Sequence, residues 1–247
     1  MSLKIGLNLT RSYSINFDLP KRSKHLIKFI IIHYTGMKKE SEAIDKLCDP
    51  KSKVSSHYFI KNNGKVLNLV PDLYKAWHAG ISCWKNYNSL NKYSIGIEIH
   101  NPGHEHKYKK FSSKQVKSLI ALLRYLVRKY KIKKGNILGH SDISPDRKKD
   151  PGEKFPWKTL STKGLCKWHK LNEKKIKKNR NLEINKKEKK IFFDNLGNFG
   201  YLKLSEKSEK NLKKNLIKAF QRKFRQSLIN GKIDKECLLI SKNLVKY

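Results

Sequence analysis

The stretch GHSDISPDRKKDPG, residues 139–152, places an imidazole, a basic run and a carboxylate ahead of a Pro-Gly turn. His140 and Asp150 offer one nitrogen and one oxygen ligand, enough for half of a zinc site. Pro145 and the Pro151-Gly152 pair disfavour a helix through the segment and favour a fixed loop. Alone, the same stretch reads as a polar surface loop. Two upstream features change that reading. His33 follows the apolar run Phe29 to Ile32 directly, and Glu98 stands inside SIGIEIHNPG. A histidine closing a buried strand, two ligands on a distant rigid loop and a strand carboxylate make up a hydrolytic metal site.

The flanking patterns give the elements that must position these groups. Phe29 to Ile32 is a short β-branched and aromatic run, which predicts a buried strand. His57 to Ile60 and Val66 to Val70 flank Asn62-Asn63-Gly64 and predict two strands joined by a tight turn. Ile95 to Ile99 alternates as a core strand, with Ile97 and Ile99 facing away from Glu98. Ser112 and Gln115 fit a capping box at the start of a long helix. Val116, Leu119, Ile120, Leu123, Val127 and Tyr130 form its apolar stripe. Ser41 to Leu47 is a weaker helix, stopped at Asp49-Pro50, and Ile137-Leu138 is a short strand feeding the loop. Residues 1 to about 25 read as irregular and surface-wrapping. The expected fold class is α/β, a mixed central sheet flanked by helices, followed by a small all-α C-terminal domain.

Composition bounds the rest. The chain has 247 residues with 38 % hydrophobic content, enough for one sizeable domain and a small one. There are 57 Lys and Arg against 20 Asp and Glu, a formal net charge of +37. Such a field attracts polyanions. The excess is mostly lysine in a chain rich in Asn and Ile, so compositional bias explains it equally well. No aromatic-and-basic RNA-binding signature accompanies the charge, so no specific nucleic-acid partner is expected. Cys48, Cys83, Cys166 and Cys237 are scattered and form neither a zinc cluster nor a disulfide scaffold. No secretory signal or transmembrane segment is evident. A monomer in a cytoplasmic setting is expected, with periplasm or cell wall as the alternative.

Six segments in order, IIIHYTG, VSSHYFIKNNGKVLNLVP, AWHAG, SIGIEIHNPGH, GHSDISPDRKKDPG and FPW, cover about Ile30 to Trp157. Together they resemble the zinc-dependent N-acetylmuramoyl-L-alanine amidases of the type-2 amidase family, which includes the peptidoglycan-recognition proteins. The resemblance implies Zn2+ held by His33, His140 and Asp150, with Glu98 as general base and Lys148 stabilising the oxyanion. It places His57, Trp77 and His78 in the framework of the substrate cleft. His100, His104 and His106 would make another metal cluster by composition, but the resemblance gives them no such part. Arg147 and Lys149 are expected to be solvated or to bind substrate carboxylates.

After Trp168 the composition turns to Lys, Asn and Glu. Leu212, Leu216, Phe220 and Phe224 recur at a spacing of four and predict an amphipathic helix. Asn230-Gly231 breaks it, and Asp234 caps a last helix from Lys235 to about Leu244. The tail, KAFQRKFRQSLINGKIDKE with Gly231 and Asp234, resembles a small peptidoglycan-binding domain. The expected division is a catalytic domain over 1–168, a lysine-rich linker over 169–187 and a helical domain over 188–247. The expected activity is hydrolysis of the amide between N-acetylmuramic acid and L-alanine in peptidoglycan or muropeptides, with a non-catalytic sensor of the same fold as the alternative.

Overall fold

The computed structural model describes residues 9–11, 13–204 and 208–246. Ten strands occur in chain order among them. They are β1 (Leu9–Arg11), β2 (Phe17–Asp18), β3 (Phe29–Tyr34), β4 (Tyr58–Ile60), β5 (Val66–Asn68), β6 (Lys75–Ala76), β7 (Cys83–Trp84), β8 (Tyr87–Asn88), β9 (Ser94–Ile99) and β10 (Ile137–Gly139). Six of them form the main sheet in the order β1-β5-β4-β9-β3-β10. Strands β4, β9, β3 and β10 run parallel, while β5 pairs antiparallel with β4 across the Gly64 turn. Two small ribbons, β2 with β6 and β7 with β8, lie outside it. The mixed sheet is the expected one. Residues 1–25 are less irregular than expected where they are described, since β1 extends the sheet edge beside β5.

Eight α-helices accompany the strands among the described residues: α1 (Glu40–Cys48), α2 (Ser113–Tyr130), α3 (His140–Ile143), α4 (Trp157–Thr162), α5 (Glu173–Lys177), α6 (Lys186–Phe199), α7 (Lys210–Phe224) and α8 (Lys235–Lys246). Helix α2 begins at the Ser112–Gln115 capping box, with both reciprocal hydrogen bonds made. Its buried stripe is Leu119, Leu122, Leu123, Leu126 and Tyr130, while Val116, Ile120 and Val127 lie at the margins. None of the helices among the described residues is long and apolar enough to cross a membrane.

Alternation along the two central strands decides what lies on each face. Ile30 and Ile32 of β3 join Ile95, Ile97 and Ile99 of β9 against α2. Phe29 and Ile31 face the other way, into a second core shared with Ile176, Ile184, Phe192, Phe220, Phe224 and Leu238. A strand apolar on both faces needs cover on both faces, and the C-terminal helices supply the second cover. Residues 169–187, expected as a linker, therefore carry helix α5 and bury Ile176 and Ile184. The loop expected to be helix-free contains α3, a single turn. Asp142 caps it by accepting the Gly139 N–H at 2.8 Å, and Pro145 follows its end.

Candidate metal centre and active-site cleft

His33 continues the Phe29–Ile31 face of β3 and ends the buried part of that strand. In the parallel register it stands opposite Glu98 of β9. Strand β10 pairs with the other edge of β3 and delivers Gly139 beside Ile32, so His140 emerges next to His33. The loop then returns, with the Ser141 N–H donating to the Asp150 carbonyl at 2.9 Å. The result brings His33, His140 and Asp150 together, all buried. His33 Nδ1 is 3.0 Å from His140 Nδ1 and 3.0 Å from Asp150 Oδ2, and His140 Nδ1 is 3.1 Å from that oxygen.

The surrounding hydrogen bonds assign the protons. The Ser94 hydroxyl donates to the Leu90 carbonyl at 2.6 Å, so its oxygen accepts from His78 Nε2–H at 3.2 Å. His78 Nδ1 is then a lone pair and accepts from His33 Nε2–H at 3.1 Å. His33 Nδ1 is left bare. On the other side the Ala79 carbonyl takes the His140 Nε2–H at 3.2 Å, which leaves His140 Nδ1 bare as well. Burial first, then the neighbouring His140, holds His33 down at about 4, so it carries one proton at neutral pH.

Two lone pairs and a carboxylate oxygen thus face one another, an arrangement that repels unless a cation lies among them. Tetrahedral zinc with nitrogen and oxygen ligands at about 2.0–2.1 Å would set ligand atoms ~3.3 Å apart. The observed spacing is within a few tenths of that, and three ligands leave the fourth position open. The donor set fits zinc.

Glu98 lines the same cleft, of about 460 Å³, with Trp77, His78 and Lys148. It is partly exposed, yet its Oε2 is sealed and has no hydrogen-bond partner among the described residues. Burial, then the Asp150 charge, pushes its carboxyl up to about 8 against the opposing Lys148 ammonium. Lys148 is half-buried, whereas Arg147 is tied down: its Nη2 donates to the Ala79 and Ile81 carbonyls at 2.8 and 2.5 Å. Arg147 stays exposed at the cleft rim while bridging these two carbonyls.

The other expected residues divide. Trp77 lines the cleft with its Nε1–H donated to Asp18 at 2.6 Å. His78 reaches the cleft wall but is chiefly the support behind His33. Its ring lies over Gly96, where an added Cβ would come within 2.5 Å of it. His57 is a correction: it has no exposed surface and does not line the cleft. Its Nδ1 accepts the Gly96 N–H at 3.0 Å and its Nε2 meets Arg22 and the Tyr74 carbonyl, so it braces strand β9 from within. His104 goes to Tyr34 and Glu153, and His100 to Thr35, so they form no metal cluster. Sequence reasoning passed over Ser94, Ala79 and Asn91. Asn91 Oδ1 accepts the N–H groups of His78 and Ala79, fixing the loop that orients both imidazoles. No local pattern marks a support that acts through a backbone carbonyl or one hydroxyl.

This fold and cleft define a class. Residues 22–153 match the family described as N-acetylmuramoyl-L-alanine amidase, and the chain belongs to that family of enzymes. It is 33 % identical over 232 residues to the N-acetylmuramoyl-L-alanine amidase AmiD of Escherichia coli K12, covering 89 % of this chain and 83 % of that protein. The solved complex of E. coli AmiD with the substrate anhydro-N-acetylmuramic acid-L-Ala-D-γ-Glu-L-Lys superposes with a TM-score of 0.79 at 31 % identity, covering 93 % of this chain and 92 % of that one. AmpDh3 of Pseudomonas aeruginosa in complex with anhydromuramic pentapeptide gives 0.78 at 26 % identity, over 93 % and 94 % of the two chains.

Proposed function

We propose that the enzyme cleaves the amide between N-acetylmuramic acid and L-alanine in anhydro-muropeptides, with zinc held by His33, His140 and Asp150. The observation that carries this reading is the meeting of two bare imidazole nitrogens and a carboxylate oxygen beside Glu98. Zinc bound there supplies Lewis-acid polarisation of the scissile carbonyl and a water acidic near neutral pH. Glu98 accepts a proton from the attacking water and returns it to the departing amine. Lys148, on the cleft wall, places an ammonium to stabilise charge developing on the carbonyl oxygen.

Trp77 and the cationic wall of Lys46, Lys148 and Lys149 suit a substrate with a sugar face and a carboxylate-bearing stem peptide. The substrate in the AmiD complex supports the anhydro form, as found in cell-wall recycling. The likeness of residues 188–247 to a peptidoglycan-binding domain supports a further grip on wall polymer. There Gln221 and Asp234 act as scaffold, since Gln221 holds the Asn230-Gly231 turn and Asp234 caps α8.

The test is product analysis by mass spectrometry after separate incubation with anhydro-muropeptide and with intact sacculi. Free stem peptide and anhydro sugar from the first substrate, lost on chelation and restored by zinc, is the expected result. Release from sacculi alone would move the substrate to polymeric wall.

A further inference from the structure

Helix α3 begins with His140, and the residue that caps it is bound to the C-terminal part of the chain. Asp142 Oδ2 accepts the Gly139 N–H at 2.8 Å and the Lys223 ammonium at 2.6 Å. Its other oxygen accepts the Tyr201 hydroxyl at 2.7 Å. The Lys223 and Asp142 side chains are only 4 % and 1 % exposed. Lys223 also donates to the Ile137 carbonyl at 3.3 Å and sits 4.2 Å from the centre of the Trp157 ring. One turn on, the Gln226 amide donates to the Phe155 carbonyl at 2.6 Å. The end of helix α7 and the turn that follows it therefore grip residues 137–155 at both ends, and neither Lys223 nor Tyr201 lines the cleft.

Buried ion pairs add little net stability compared with apolar side chains of the same size, but they hold one geometry. We infer that Lys223 and Tyr201 are positioning residues for the metal loop, acting through Asp142 to set the direction from which His140 presents its Nδ1. The C-terminal helices thus complete the metal centre from behind as well as covering the sheet. This rests on the metal reading above.

The test uses the full chain, with cobalt(II) and zinc affinities measured by competition with a chromophoric chelator. The cobalt absorption spectrum and the thermal midpoint of the metal-free protein are recorded alongside. Tyr201→Phe removes one hydroxyl, and the double variant Lys223→Met with Asp142→Asn removes the pair without stranding a buried charge. The double variant is expected to bind metal about tenfold or more weakly, with a shifted cobalt spectrum. Tyr201→Phe is expected to move both readouts in the same direction by less. Wild-type affinity and spectrum in Tyr201→Phe and in the double variant would overturn the inference, whatever the thermal midpoint does. If the double variant fails to fold, wild-type values in Tyr201→Phe alone overturn it. A wild-type chain that binds neither metal removes the metal reading, and this inference with it.

Discussion

His33 and Glu98 are directly paired across the parallel strands β3 and β9. An imidazole of the candidate metal centre and the candidate base therefore leave the same face of the sheet at the same level. Their relation is set by strand register, which a loop could not fix as firmly. A one-residue slip of either strand would turn that strand's side chain towards the α2 core.

Glu98→Gln tests the base directly. The amide keeps the shape of the carboxyl, so the variant should fold and hold zinc while turnover falls on the order of a hundredfold or more. Steady-state kinetics on a muropeptide, with zinc content measured on the same sample, checks it. Near-normal turnover would reduce Glu98 to a structural carboxylate.

The same residue predicts a pH dependence of the metal-free protein. Its carboxyl lies at about 8 in the fold against an ordinary 4.5. Between those values the folded chain keeps a proton that the unfolded chain releases, so stability falls as pH rises through the window. His33, lowered from 6.5 to about 4, works in the opposite sense below 6.5. The difference between wild type and Glu98→Gln isolates the carboxyl. Thermal midpoints without metal should agree near pH 4 and favour the variant by a growing margin towards pH 9. Parallel curves would show that Glu98 ionises as an ordinary carboxylate.

Much of this architecture is legible in the chain, for local reasons. The capping box of α2 and the Asn-Asn-Gly turn each announce themselves within a few residues. The one-turn helix at His140 is hidden, because its cap is the side chain of Asp142 within a proline-containing loop. His57 and His78 sit in equally suggestive motifs, yet only packing against Gly96 shows that one braces a strand and the other a candidate ligand. The shared second core was partly visible: Phe29 to Ile32 is apolar at every position, which demands cover on both faces. What the pattern could not say is that helices α5 to α8, from Glu173 onward, provide it.

His78→Ala should weaken metal binding. Losing the acceptor of His33 Nε2–H frees that ring to turn, and supports of this type are worth about 10–100-fold in metal affinity. Gly96→Ala, which drives a methyl into the His78 ring, should act in the same direction. Chelator competition on both variants checks this. Unchanged affinity would leave the chain through Ser94 and His78 without a role at the metal.

A chain ending at Trp168 uncovers Phe29, Ile31 and Leu138. Burial of each such side chain contributes roughly 1.5–3 kcal/mol. The shortened chain should therefore aggregate or unfold at a much lower temperature, read by circular dichroism melting. A soluble fragment melting like the full chain would show that 1–168 stands alone.

The most direct measurement of the central claim is the metal content of the purified full chain and of His33→Ala and Asp150→Ala by elemental mass spectrometry, with folding confirmed by circular dichroism. One zinc per wild-type chain, and little in either folded variant, is the expected result. Full zinc in both variants would contradict the centre assigned to His33, His140 and Asp150.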